Sequence, residues 1–439
     1  MNRRDVLARS GALAMLALAG CQAPASDRTT TDEPTTTTPD DGTTTQSPVD
    51  DERLAELAAG NANFALDLHR NLAEAEGGNQ FLSPYSISVA LAMTYAGARG
   101  ETATQMRETL RYTLGQDIHP AFEDLQAALE RRETAVDPVE GDEVQAFELA
   151  IANALWGREG YPFAEDYLSL LEEHYGGGLR QADFAGDPEG ARARINDWVA
   201  DRTEDRIENL LPSGSITPAT VLVLTNAIYF MAGWQFQFDP EETTPGTFTA
   251  LDRSTATVPM MQQTLQTNYA DLDGAKAIEL PYVGREVSMV LVLPDQGTSE
   301  TFERKLTGDR LFEIFDALGD ANGELRMPRY EYEFEVQLSD ALSALGMPIA
   351  FGSGADFGGM VEGDGAALWI DEVFHRAFVS VDEEGTEAAA ATGVVMDESA
   401  AQESFDLTID RPFLFCIRDR PTNAVLFLGR VVDAGAAQG

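Results

Sequence analysis

The chain has 439 residues and carries 74 acidic against 30 basic side chains, a formal net charge of −44. Such a charge excludes nucleic acid as a partner, because a phosphate backbone is bound by a basic surface. Acids are spread along the whole chain and Lys276 and Lys305 are its two lysines, a composition suited to molar salt, where the screening length falls to roughly 3 Å, and hence to an extreme halophile.

The N-terminus reads as an export signal over residues 1–21. Arg3 and Arg4 precede a short apolar run from Gly11 to Gly20 that ends Leu18-Ala19-Gly20-Cys21. The run is too short to span a bilayer. Twin arginines resemble a Tat signal and the tetrapeptide resembles a lipobox, which makes Cys21 the expected lipidation site and tethers the protein to the outer face of the cell membrane. Residues 22–51 are Thr, Pro, Asp and Ser with almost no large apolar residue, so they read as an extended tether. Apolar periodicity begins at Glu52 and continues to about residue 435, which predicts one large folded unit. No lipid contact is expected beyond the N-terminal anchor, and the protein is expected to be a monomer.

Within that unit Leu54, Leu57, Ala58, Phe64, Ala65, Leu68 and Leu72 form a helical stripe. Ser83 and Pro84 predict a helix start, serine as N-cap and proline at the first helical position. A further helix is expected over Pro188–Arg206. Strands are expected over Val221–Phe230, Ala277–Tyr282, Val287–Leu293, Leu368–Val381, Phe405–Ile417 and Val425–Val432, with a hairpin at Val283–Glu286. Tyr330, Tyr332, Phe334 and Val336 alternate with Glu331, Glu333 and Glu335, the pattern of a strand with one buried face. Helices cluster early and strands late, so the class is α+β.

Enzyme signals are weak. The chain has no Gly-x-Ser-x-Gly elbow, phosphate-binding loop or His-Glu-x-x-His motif. His69, His119, His174 and His375 are not spaced as metal ligands, and Cys416 lies in the apolar run Phe413–Ile417, where it reads as a small buried hydrophobe. No catalytic residue, metal or cofactor is expected.

The unusual segment follows Val381. Small, mostly uncharged residues run Gly385-Thr386-Glu387-Ala388-Ala389-Ala390-Ala391-Thr392-Gly393. In an extended chain one face carries Thr386, Ala388, Ala390, Thr392, Val394 and Met396, all uncharged, while Glu398 would come next. That face suits a strand entering a sheet as far as Met396. Alanine also favours helix, so an Ala-rich helical loop is the alternative.

The stretch Val381 to Thr392 closely resembles the hinge of inhibitory serpins, with Glu383, Gly385, Thr386, Glu387, Ala388, Ala389, Ala390, Ala391 and Thr392 as its residues. Asn79 to Ser88, Thr225 to Phe230 with Trp234, Asp410 to Phe415, and Leu426 to Val431 resemble other serpin signatures in order and spacing. The resemblance spans about residues 52–433. It implies the serpin fold: a large, mostly antiparallel central sheet, further sheets, a cluster of helices and an exposed reactive-centre loop at about 383–404. It also implies a shutter of Ser83, Ser86, Asn226 and His375, in which His375 is a structural hydrogen-bonding residue. The implied breach at the top of the sheet comprises Trp234, Arg329 and Glu383, with arginine where the family usually has lysine.

The activity so implied is suicide inhibition of a serine-type endopeptidase by cleavage and insertion of the loop. Counting fourteen residues on from Gly385, the family's spacing, sets the reactive bond at Ser399-Ala400. Counting back from Pro412 sets it at Ala401-Gln402, and Met396 is a third specificity residue. No Lys or Arg lies between Gly385 and Asp410, which favours a subtilisin-like or elastase-like partner over a trypsin-like one. A serpin that binds or stores without inhibiting, a solute-binding lipoprotein and a secreted hydrolase are the competing readings.

Overall fold

The computed structural model describes residues 48–136, 143–363, 368–386 and 403–438. Cys21, Met396, Ser399, Ala400, Ala401, Gln402 and the hinge residues Glu387, Ala388, Ala389, Ala390, Ala391 and Thr392 lie outside them.

Helix α1 (Pro48–Ala75) buries Leu54, Leu57, Phe64, Leu68 and Leu72 as its stripe requires. Helix α2 (Pro84–Tyr95) is apolar nearly all round and buried, as a helix packed on every side must be. Its start is fixed by Ser83, whose Oγ accepts the Ser86 N–H at 3.1 Å and donates to the Leu426 carbonyl at 2.7 Å. Helix α3 (Pro188–Arg202) is capped by Asp187, which accepts the Gly190 N–H at 3.0 Å. It stops short of Arg206 because Glu204 and Asp205 take left-handed backbone, φ 49° and 61°.

Two sheets carry the architecture. The central one comprises β1 (Glu148–Arg158), β2 (Leu179–Ala182), β3 (Leu222–Gly233), β4 (Tyr330–Gln337), β5 (Val373–Val381) and β6 (Gly385–Thr386), in the order β4-β5-β6-β3-β1-β2. Tyr330 and Phe334 of β4 are buried while its glutamates are exposed, as the alternation requires. The second sheet, of nine strands among the described residues, contains Ala275–Pro281 and Val287–Pro294 as the expected hairpin.

Three sequence expectations need correction. Phe405–Ile417 is not one strand: Glu403–Thr408 pairs in parallel with Gly319–Pro328, and Phe413–Asp419 pairs antiparallel with Val287–Pro294. The break falls between the two, over residues Ile409 to Pro412. At the crossing a side chain on Gly323 would lie 2.0 Å from the Phe405 carbonyl oxygen, so only glycine fits. Secondly, β5 begins at Val373 rather than Leu368. Thirdly, helices are not confined to the early half, since Ser299–Lys305, Gly308–Ala317 and Ser339–Leu345 interleave with the late strands.

The main core lies between the two sheets, and a second apolar layer packs Ile195 and Val199 of α3 against Trp156, Val223, Ala227 and Phe374 on the other face of the central sheet. Both faces of β3 and β5 are therefore covered.

Candidate functional site

Strands β3 and β5 pair directly and in parallel only from Val373↔Leu224 to Ala377↔Ile228. Above that level they diverge, and Gly385–Thr386 sits between them: Thr386 pairs with Val381 on one side and with Ala232 on the other, and Gly385 pairs with Gly233. The central sheet is thus zipped at the bottom and wedged open at the top by two residues of the alanine-rich segment. The segment's other flank begins in the strand Glu403–Thr408 of the second sheet.

The wedge is held by a tight turn. Asp382 accepts the N–H groups of Glu384 and Gly385 at 2.9 and 3.2 Å, and its own N–H donates to the Gly385 carbonyl at 3.0 Å. Trp234 grips the turn from β3's end. Its backbone N–H donates to the Glu384 carbonyl and its Nε1–H to the Asp382 carbonyl, each at 2.9 Å. The indole stacks on Tyr282, with centroids 4.7 Å apart, and Tyr282 shares a 2.8 Å hydrogen bond with the Thr386 hydroxyl. Thr386 is 1% exposed.

Glu383 and Arg329 are brought near each other, 3.6 Å apart, but the arginine side chain is half exposed. Such a pair is worth little, and less in salt. The shorter contact is with Thr243, whose hydroxyl donates to Glu383 Oε1 at 2.6 Å. Neither Thr243 nor Tyr282 was singled out by sequence, since each lies over a hundred residues from the hinge and only pairing of the strands brings them together.

Lower down, Ser86, Asn226 and His375 meet, with Ser83 at the head of the same helix. Asn226 lies on β3 and His375 directly opposite it on β5. Asn226 Nδ2 donates to Ser86 Oγ at 2.7 Å and to Asn153 Oδ1 at 2.6 Å. Asn226 Oδ1 must then be the acceptor toward His375 Nδ1, 2.5 Å away, so His375 is the neutral tautomer protonated on Nδ1. Asn153 on β1 completes the cluster, a residue for which the sequence offered no signal. The His375–Asn226 bond spans the line along which β3 and β5 would separate.

His375 Nε2 is buried without a partner, and burial pushes the imidazole pKa down to about 3. A proton there would add a buried N–H with nothing to accept it. The unfolded chain protonates this group near its ordinary value of 6.5, so it binds the extra proton first. The contribution to stability is complete above that value and is lost as pH falls toward the folded value, at up to about 1.4 kcal/mol per pH unit. His119, lowered to about 4 by burial, acts in the same sense. We expect His375→Gln to reduce the acid slope of the denaturant midpoint between about pH 6 and pH 4, and an unchanged slope would refute the assignment.

Cys416 is free and buried, its thiol pushed up to about 12 by desolvation, which leaves it unsuited to act as a nucleophile.

A family model described as serpin (serine protease inhibitor) matches residues 59–434. An uncharacterized serpin-like protein of Methanosarcina mazei is 37% identical over 390 residues, 87% of this chain and 88% of that protein. The leukocyte elastase inhibitor of Sus scrofa is 39% identical over 388 residues, 86% of this chain and 99% of that one. Among solved structures, uncleaved ovalbumin superposes with a TM-score of 0.74 at 28% identity, covering 86% of this chain and 99% of its own.

Proposed function

The chain belongs to the serpin family, and we propose that it inhibits serine-type endopeptidases by trapping them as acyl-enzymes. The observation that carries this reading is the seating of Gly385–Thr386 at the head of a gap between β3 and β5.

In the first step the protease serine oxygen bonds to the carbonyl carbon of the residue before the cut, Ser399 on the family spacing. The C–N bond to Ala400 breaks, and the serine proton leaves through the protease histidine on the new amine. The inhibitor contributes no catalytic group. Once cut, the loop is free to extend β6 downward. Each further residue steps one position down both flanking strands, so Glu387, Ala388 and Ala389 fill the levels above Ala377 and Ile228, where β5 and β3 are not paired to each other. From Ala390 to Val394 the loop must then replace the five direct pairs, and Thr392 arrives between Asn226 and His375.

This register supports the small-residue sequence on both faces. Thr386, Ala388, Ala390, Thr392 and Val394 come level with the core-facing residues Val381, Val379, Ala377, His375 and Val373, all buried. Ala389, Ala391 and Gly393 come level with the opposite face, which α3 roofs through Phe374 and Ala227. On the core face a charge would be left buried, and beneath α3 a side chain larger than alanine would meet the roof.

No Lys or Arg lies between Gly385 and Asp410, and one relative is named as an inhibitor of leukocyte elastase, which supports elastase-like or subtilisin-like targets. The test is to mix the protein, in molar salt, with elastase-, subtilisin- and trypsin-type enzymes and run denaturing gels. A covalent adduct of summed mass is expected with the first two. Cleavage without adduct across the panel would overturn the inhibitory reading and leave a serpin that does not inhibit.

A further inference from the structure

A cavity of about 530 Å³ opens on the second sheet, with Phe236 and Gln237, the residues just past β3, along one wall. Its lining is balanced in a strongly acidic chain, two guanidinium groups standing beside the carboxylates Glu279 and Asp320. Arg285 and Arg420 line it and Arg418 lies behind them. One carboxylate, Glu279, serves two of these guanidinium groups, at 2.6 Å from Arg418 and 3.3 Å from Arg420. Asn268 and Ser288 also donate to Glu279, each at 2.7 Å, so its acceptor capacity is used. Among the described residues no carboxylate lies within ion-pair distance of Arg285, whose guanidinium stacks over Phe236 at 5.2 Å. The amide nitrogen of Gln237 is buried and lacks a hydrogen-bond partner. Asp320 is the second carboxylate of the lining.

From this geometry we infer that the cavity is a binding site for a small amphiphilic organic anion, a carboxylate on a flat apolar body. Arg285 and the Gln237 amide supply donors that lack an acceptor, and Phe236, Leu265 and Pro281 supply the apolar wall, a lining typical of small-molecule sites. The overall charge would repel such a ligand in dilute buffer. At molar salt that repulsion is screened within roughly 3 Å, and the local donors decide.

The site is mechanically joined to the hinge. Between Trp234, whose N–H holds the Glu384 carbonyl, and Phe238, whose N–H holds the Glu383 carbonyl at 2.9 Å, lie the two residues that form the cavity wall. Gln235 in the same stretch donates its N–H to the carbonyl of Pro281, a residue of the cavity wall, at 2.9 Å. A ligand that orders this stretch tightens the grip on the turn at 382–384 and retards descent of the loop. The retardation rests on the inhibitory reading; the binding does not.

The test uses 4-phenylbutyrate as probe, titrated calorimetrically into the full chain in molar potassium chloride, with 4-phenylbutylamine as the cationic control. We expect saturable binding of the acid with a Kd below about 1 mM, none of the amine, and slower hydrogen exchange at the Trp234 and Phe238 amides. Arg285→Glu, at an exposed position, should weaken binding by about tenfold or more, and Gln237→Leu should weaken it less. Absence of saturation, or equal affinity in Arg285→Glu, overturns the site. Binding with unchanged exchange overturns the coupling. Binding and slowed exchange in a protein that forms no protease adduct would uphold the site while the inhibitory reading falls.

Discussion

Replacing Thr386 by arginine is expected to abolish the covalent protease adduct and leave only cleaved protein. Thr386 is 1% exposed, paired on both edges and hydrogen-bonded to Tyr282. A guanidinium cannot shed its charge, and burying it unpaired costs about 3–5 kcal/mol. Every further residue of the loop is added below this one, so Thr386 must hold its place for insertion to proceed, and the acyl-enzyme is hydrolysed if insertion is slow. A barrier raised by that amount slows insertion by about 10²–10⁴-fold, so water wins the race. The variant should also release the hinge before any cut, seen as faster hydrogen exchange at the Thr386 amide. Thr386→Ser keeps the hydroxyl and the size and should trap normally. An adduct formed by Thr386→Arg at the unmodified protein's yield would sink the mechanism.

Nicking the loop near Ser399 should raise the melting temperature by at least about 10 °C. Today the lower part of the sheet is held by five parallel pairs between β3 and β5. In the clipped form an added strand pairs antiparallel with both, the more stable arrangement per residue, and Val394 becomes buried, contributing about 1.5–3 kcal/mol. Opening the line breaks the His375–Asn226 bond. The Thr392 hydroxyl comes level with both groups, and being donor and acceptor it can serve each, which avoids the cost of orphaned polar atoms. Scanning calorimetry before and after limited digestion with a metalloprotease, which forms no acyl-enzyme and is not trapped, measures the change, and a melting point that stays level or drops would show a loop that never enters the sheet.

Much of this was legible along the chain because it depends on local periodicity. A period of two separates the uncharged face of Thr386 to Met396 from its neighbours and marks Tyr330–Gln337 as half-buried. Ser83 before Pro84 announces a helix start whatever surrounds it. The ends of elements were less legible, as at Arg202, where two residues in left-handed backbone end a helix whose polar sequence could have continued it.

What no periodicity reveals is which distant backbone lies beside which. The amino-acid sequence alone determined that a strand-competent, small-residue segment exists and that it resembles a serpin hinge. Tertiary structure alone decided that its first two residues already stand inside the sheet, that Tyr282, Thr243 and Asn153 hold the parts in place, and that an arginine-lined cavity adjoins the hinge. The reason is physical: side-chain pattern records which face of an element is buried, whereas the partners that bury it are chosen by packing across the whole fold.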